Sequence, residues 1–388
     1  RDACAPTIFH ELCSAGLAFK LAHALVKRGR VLGWECARDF DLRPLLDFVA
    51  LGTIADLVPL IGENRILTKI GLEYLNRSER PGILALKKVA QINQPIGCYE
   101  VGFQLAPRLN AAGRLENAEE ALQLLLSQDP AVCEKIAQSL DARNRERQQI
   151  EKSISTEVIG SIRARFNPQK DFVIVEGQLL WHVGVVGIVA SRVLHEFYRP
   201  TFILGGEGDE WRGSGRSIEG FDLAAALREC GDLLVKHGGH SMAAGLTIHS
   251  KNLDELRRRL NELAQRILRA EHLQPVLRLD AETELSEINF NCLADLEKLQ
   301  PFGQKNPPVQ LAVRNLSHQR SPQRMGQQNQ HAKFWVTDGK KTLEAVCWNC
   351  GDVPFPKNHF DLAFTPQLNE FNGNIAVQLK ILDWQNSS

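Results

Sequence analysis

Apolar residues recur at helical intervals over 12–27, where Leu17, Phe19, Leu21, Leu25 and Val26 stand among alanines. This spacing predicts a buried core helix entered through a flexible turn at 13–16. The stretch 45–60 is a nearly continuous apolar run interrupted by Asp47 and Asp56. Helical spacing returns over 64–75, Arg80-Pro-Gly punctuates the chain, and further helices are expected near 83–89 and 118–127. From 131 to 165 the chain is charged and poor in glycine, with Ile136, Leu140, Ile150, Ile154, Val158 and Ile162 at roughly helical intervals. That predicts one or two long helices, largely facing solvent, with Arg143, Arg145 and Arg147 on the solvated face.

A β/α alternation then begins, with a strand at 171–176, a helix at 185–197, a strand at 201–204 and a later helix at 253–270. From about 275 the texture changes to short strands at 276–280, 309–313, 332–336, 343–346, 360–364 and 375–381, separated by turns rich in Gly, Asn, Asp and Pro. Such a series predicts a small all-β barrel or sandwich. The fold class is α/β, divided as a first domain to residue 80, a helical connector over 81–165, an α/β domain over 166–274 and the all-β domain over 275–388.

With 388 residues and 44% hydrophobic content, the chain has material for two or three domains with real cores. The 46 Lys and Arg balance the 46 Asp and Glu, so any nucleic-acid contact must come from local patches. No apolar stretch approaches a membrane span, and no membrane role is expected. The nine cysteines lack a repeated pair spacing, which points to a reduced, cytoplasmic compartment. Cys347 and Cys350 form a lone CxxC, half of a tetrahedral zinc site. The start, Arg1-Asp-Ala-Cys-Ala-Pro, has neither Met nor signal-peptide features and reads as a fragment whose beginning is lost.

Candidate chemistry concentrates between Trp211 and Gly245, where two glycine-rich turns are joined by an amphipathic run. Glycines let backbone N–H groups point at phosphate oxygens, and Arg216 offers a planar fork for two of them. The alternative is that Gly213, Gly215, Gly238 and Gly239 merely make tight turns. Arg108, Asn110 and Arg114 cluster around Gly113 as a second cation-rich turn, unless Glu116 and Glu119 neutralise the arginines. His182 stands between a strand and a helix N-terminus, a ready anion site, or else is a surface histidine. Asp56 among apolar neighbours is a candidate metal ligand, or a helix cap or a partner of Arg65. The loop expected over 314–333 holds Arg314, Arg320, Arg324 and Lys333, with Phe334 and Trp335 immediately after. Those residues suit a nucleic-acid backbone and stacked bases, unless the aromatics are core.

Several motifs occur in a telling order. Leu51-Gly-Thr-Ile-Ala-Asp56-Leu-Val-Pro-Leu60 comes first, then Arg108-Leu-Asn-Ala-Ala-Gly-Arg114 and Trp181-His-Val-Gly-Val-Val-Gly-Ile-Val-Ala-Ser-Arg192. Gly213-Ser-Gly-Arg-Ser217, Gly238-Gly-His-Ser-Met-Ala-Ala-Gly245 and Leu299-Gln-Pro-Phe-Gly-Gln-Lys-Asn-Pro307 follow. Together they resemble the RecJ family of the DHH phosphoesterase superfamily over nearly the whole chain. The resemblance implies a partial DHH domain, a DHH-associated substrate-binding domain and an OB-fold. It also implies a 5′-to-3′ single-stranded-DNA exonuclease of DNA repair and recombination that uses two Mn²⁺ or Mg²⁺ ions. By position, Asp56 matches the last metal-domain aspartate, and Arg108 and Asn110 match an element near the phosphates. Arg216 and Ser217 match a phosphate-binding loop, His240 matches a histidine facing the scissile phosphate, and His182 belongs to the matching turn.

The family's Asp-His-His triplet is not found in this sequence. Asp56 alone cannot hold two hard cations, so this chain is expected to bind nucleic acid and not to cut it. Its expected partners are single-stranded DNA with a 5′ end, a single-strand-binding protein and a helicase, and it is expected to act as a monomer. Two other readings are a phosphoesterase for short oligonucleotides or cyclic dinucleotides, and a non-catalytic single-strand-binding scaffold.

Overall fold

The computed structural model describes residues 9–115, 117–351 and 353–387, so the unusual first residues lie outside the described ones. In chain order the helices are α1 (Ser14–Val31), α2 (Glu35–Arg38), α3 (Leu46–Ala55), α4 (Gly62–Asn76), α5 (Pro81–Ala90), α6 (Ala106–Leu115), α7 (Glu119–Leu126), α8 (Pro130–Arg163), α9 (Val186–Phe197), α10 (Leu223–Glu229), α11 (Leu253–Ile267) and α12 (Phe290–Glu297). The strands are β1 (Ile174–Leu179), β2 (Thr201–Gly206), β3 (Glu210–Arg216), β4 (Leu234–Gly239), β5 (Ala243–His249), β6 (Ala281–Glu282), β7 (Leu311–Met325), β8 (His331–Thr337), β9 (Thr342–Cys347), β10 (Phe360–Phe371) and β11 (Asn374–Asn386). Two compact units result. One holds the described residues of Arg1–Ser78, Gln94–Gly102 and Leu277–Ser388, and the other holds Glu79–Asn93 and Phe103–Val276.

In the first unit, the apolar run expected over 45–60 becomes α3, buried on nearly all sides. α1 meets α3 through small groups: Ala15 packs on Gly52, and the Cys13 thiol lies 3.5 Å from the Thr53 hydroxyl. That contact corrects the reading of 12–27 as core. Leu17, Leu21 and Leu25 are 62%, 62% and 54% exposed, because the face turned to α3 is the other one. The segment before the barrel is tied to these helices by Leu60 N–H donating to the Gln304 carbonyl (2.7 Å) and by Arg65 Nη2 donating to the Leu299 carbonyl (2.9 Å).

The barrel strands run in the order β7-β8-β9-β11-β10, and β10 pairs back with β7 to close the ring. Only β9 and β11 pair in parallel within that ring. This is the topology of an OB-fold. Inward-facing Phe334, Phe360, Phe364, Leu316 and Leu379 fill it. Two expectations are corrected here. The segment 276–280 forms no strand and is followed by the two-residue β6, and the loop expected over 314–333 is mostly the long strand β7. Register shifts near His318, Arg320 and Gln323 bend that strand around the barrel.

In the second unit, α8 is a single helix of 34 residues, opened by Pro130 and capped by the Asp129 carboxylate, which accepts from the N–H groups of Ala131 and Val132. Its Ile154, Val158 and Ile162 pack with Ile174, Val185 and Val189, so α8 shares a core with the α/β segment that follows. The sheet order is β1-β2-β3-β5-β4, parallel between β1 and β2 and antiparallel elsewhere. Ile203 faces the α9 side, while Phe202 and Leu204 face α10 and α11.

The two glycine-rich turns expected in 211–245 are instead strands β3, β4 and β5. Gly213 and Gly215 make room for large neighbours: a Cβ at 213 would stand 2.6 Å from Leu204 Cγ, and one at 215 would overlap the Phe202 ring. Alternation places Ser214 and Arg216 on the opposite face of β3.

Candidate nucleic-acid interface

Beyond β1 the chain turns through Trp181–Gly184 and enters α9 at Val185, which has no side chain able to cap the first-turn N–H groups. The turn is braced locally. The indole of Trp181 donates to Glu157 (3.4 Å), and His182 Nδ1 accepts from the Gly184 N–H (3.1 Å). That bond leaves Nε2 as the protonated nitrogen of a neutral ring. Arg114, in the last turn of α6, donates from Nη1 to the Gly184 carbonyl (3.1 Å). An uncapped helix start with arginine beside it attracts an anion.

Arg216 completes this corner from β3. Its Nη1 donates to Ser214 Oγ (2.9 Å) and to the Gly215 carbonyl (2.8 Å), which fixes the guanidinium on the α9 side of the sheet. A Cβ at Gly187, in the first turn of α9, would stand 3.0 Å from Ser214 Oγ and 3.2 Å from Arg216 Nη2. Burial, reinforced by the charge of Arg114, lowers the Arg216 pKa. Two cations near enough to disfavour each other indicate a site that gains from an anion between them.

The other expected residues of this unit are distributed less simply. Ser217 is buried, and its hydroxyl donates to the Phe221 carbonyl (2.6 Å), a turn-closing role. Gly238 and Gly239 end β4, and His240 follows on an exposed hairpin with its N–H on the Ala243 carbonyl (2.8 Å). Because Ala243 lies opposite Arg216 across β3 and β5, the hairpin of His240 adjoins the Arg216 end of β3. Gly239 needs its glycine, with φ at +140°, whereas a Cβ at Gly238 would meet only open space. Arg108 donates to Asp141 (2.9 Å) and to the Gln104 carbonyl, so it is engaged in a half-buried ion pair. Asn110 is exposed on α6. Glu116, one of the acids set against these arginines, lies outside the described residues.

Residues of the first unit form separate features. Asp56 caps the C-terminal end of α3 and is exposed. Among the described residues no three His, Cys, Asp or Glu side chains come together as a metal site. The donors do not fit a two-metal centre. On the barrel, the Arg320 guanidinium lies over the Trp335 ring, 3.3 Å from its centroid, and Lys333 pairs with Glu344 (2.9 Å). Arg314 is held by Glu282 and Asp361, and Arg324 by the carbonyls of Gly351 and Val353. Arg320 is exposed and covers the half-buried Trp335 ring, Lys333 lies 5.7 Å from the same ring, and Arg324 lies over Phe355.

Sequence reasoning missed a buried polar row on α8. Arg147, expected on the solvated face, is only 8% exposed, and its Nη1 donates to Glu151 (2.7 Å). The spacing of four residues between them was the available signal. Ser214 was also passed over, although it stands two residues from Arg216 on the same strand face.

Comparison with known proteins places this architecture. Residues 170–266 match the DHHA1 domain and residues 279–383 match the RecJ OB domain. The five-stranded sheet thus lies in a DHHA1 domain and the closed barrel in a RecJ OB domain. The chain belongs to the RecJ family. It is 38% identical over 385 residues to the single-stranded-DNA-specific exonuclease RecJ of Bacillus subtilis, covering 97% of this chain and 47% of that protein. It is 34% identical to the Escherichia coli RecJ, covering 96% and 67%. The crystal structure of Thermus thermophilus RecJ in complex with Mn²⁺ matches with a TM-score of 0.85 at 30% identity, covering 99% of this chain and 55% of that one. This chain thus spans about half the length of the Bacillus and Thermus relatives.

Proposed function

We propose that this chain is the strand-holding part of a 5′-to-3′ single-stranded-DNA exonuclease, and that it binds the 5′-terminal phosphate at the start of α9. The observation that carries this is the convergence of Arg114 and Arg216 on an uncapped helix N-terminus, with Gly187 removing any side chain between helix and strand. His182, Gly238, Gly239 and His240 adjoin this corner in chain or register. Arg108 and Asn110 act from α6, the first of them through its pair with Asp141. Arg320 and Trp335 supply a second contact, where a guanidinium and a ring stack on bases. A closed barrel favours a long strand over a dinucleotide, which supports the exonuclease over the small-substrate reading.

Hydrolysis in this family is proposed to use Mn²⁺ or Mg²⁺, as in the Thermus RecJ complexes. Those ions would supply an activated water and charge stabilisation. Asp56 alone does not make such a centre, so the chemistry derived for this chain is binding. Monomeric, cytoplasmic action beside a single-strand-binding protein and a helicase belongs to the same proposal and is supported by family membership. Among the described residues no helix is long and apolar enough to cross a membrane.

The test is fluorescence anisotropy with a 5′-phosphorylated single-stranded oligonucleotide and its 5′-hydroxyl counterpart. Tighter, salt-sensitive binding of the phosphorylated strand is expected. Equal affinity for both sinks the assignment of the α9 corner.

A further inference from the structure

Beneath the α9 corner, α8 buries a row of polar side chains where an apolar stripe would pack more simply. Asn144, Arg147, Glu151 and Ser155 are all under 9% exposed, and Glu151 is at 2%. Glu151 is a two-sided clamp. Oε2 accepts from Arg147 Nη1 within α8 (2.7 Å), and Oε1 accepts from Nη2 of Arg192 on α9 (2.5 Å). Arg147 Nη2 donates in turn to Asn144 Oδ1 (3.1 Å).

A buried ion pair of this kind is a poor source of net stability, because the desolvation of both charges opposes their attraction. Two further facts mark it as more than packing. The group carries an excess of positive charge, two guanidinium ions on one carboxylate, and Arg147 Nε has no partner among the described residues. Arg114 of the anion corner is felt at both places. Burial lowers the Arg147 pKa, Glu151 opposes this, and the charges of Arg114 and Arg192 lower it further, while Arg114 also lowers the pKa of Arg216.

We infer that Glu151 and Arg192 are positioning residues of the phosphate site: the clamp holds α9 against α8 so that the first turn of α9 and Arg216 meet the same phosphate group. This rests on the proposed function of that corner and deepens it. The clamp acts through geometry, since Glu151 itself carries the wrong sign for a phosphate. Removing its charge makes the region more positive, so a pure field effect and a positioning effect have opposite signs.

The experiment compares wild type, Glu151→Gln and Arg192→Met in the full chain, measuring Kd for 5′-phosphorylated and 5′-hydroxyl oligonucleotides at two salt concentrations, with a thermal melt for each variant. Glu151→Gln is expected to lower the phosphate preference about fivefold, the scale of coupling within one polar network, despite the added net positive charge. Should that variant fail to fold, Arg192→Met decides, because it removes a side chain that is 52% exposed and leaves the Arg147–Glu151 pair in place. Positioning predicts that it lowers the preference alone, whereas mere loss of charge weakens both strands and flattens the salt slope. An unchanged or increased preference in folded Glu151→Gln, or a uniform weakening in Arg192→Met, overturns the inference. A wild type that ignores the phosphate overturns the proposed function, and this inference with it.

Discussion

Gly187 and Arg216 are closely packed: a Cβ at 187 would stand 3.2 Å from Arg216 Nη2 and 3.0 Å from the Ser214 hydroxyl that the arginine holds. The glycine therefore sets how closely α9 approaches β3. Replacing it by alanine gains helix propensity of about 1 kcal/mol, which offsets the crowding, so the thermal midpoint is expected to stay nearly unchanged. The guanidinium must move by a few tenths of an ångström, and the preference for a 5′-phosphate should fall. A melt beside an anisotropy titration checks both, and an unaltered preference would show that this contact does not shape the site.

Gly215 has a different burden, because its missing side chain leaves space for the Phe202 ring on the core face of β3. Gly215→Ala is expected to destabilise by about 1–3 kcal/mol, the usual scale for overpacking. Denaturant unfolding measures it. A stability equal to wild type would mean that the glycine serves ligand approach, as its motif first suggested.

The barrel contact makes a third prediction. Trp335→Ala removes the ring under Arg320 and should weaken binding of single strands by about 1–3 kcal/mol, irrespective of the 5′ group. Titration with both oligonucleotides tests this. A loss restricted to the phosphorylated strand would contradict separate roles for barrel and α9 corner.

Chelation is a fourth test. The anion corner consists of arginines and a helix start, and no cluster of metal ligands occurs among the described residues. Adding EDTA should leave oligonucleotide affinity unchanged. A drop in affinity would show that a bound cation takes part in holding the strand.

How much of this was legible in the sequence differs by element. The β-branched runs of the α/β segment and the regular strands after 275 announced their folds, because a strand buried on both faces must be apolar and a barrel strand must alternate. The spacing over 131–165 announced one or two long helices, and the structure has one, α8. Glycines misled, since Gly213 and Gly215 look like a turn yet make space for Phe202 and Leu204, neighbours set by sheet pairing and invisible in local sequence. Leu17, Leu21 and Leu25 misled in the opposite direction, because periodicity shows that a face is apolar without showing what covers it. Arg216 was legible from its motif. The Arg147–Glu151 pair left only its spacing of four as a signal, and Arg192 left none, because it meets Glu151 from another helix 41 residues further along the chain.

The central claim is that the 5′-phosphate and Arg216 meet. The most direct measurement is a double-mutant cycle that crosses wild type and Arg216→Ala with 5′-phosphorylated and 5′-hydroxyl oligonucleotides of one sequence. Loss of the arginine should weaken binding of the phosphorylated strand by about 1.5–3 kcal/mol, the value of a charged hydrogen-bond pair, and leave the hydroxyl strand almost unaffected. Equal losses on both strands, and so a coupling near zero, would contradict the account.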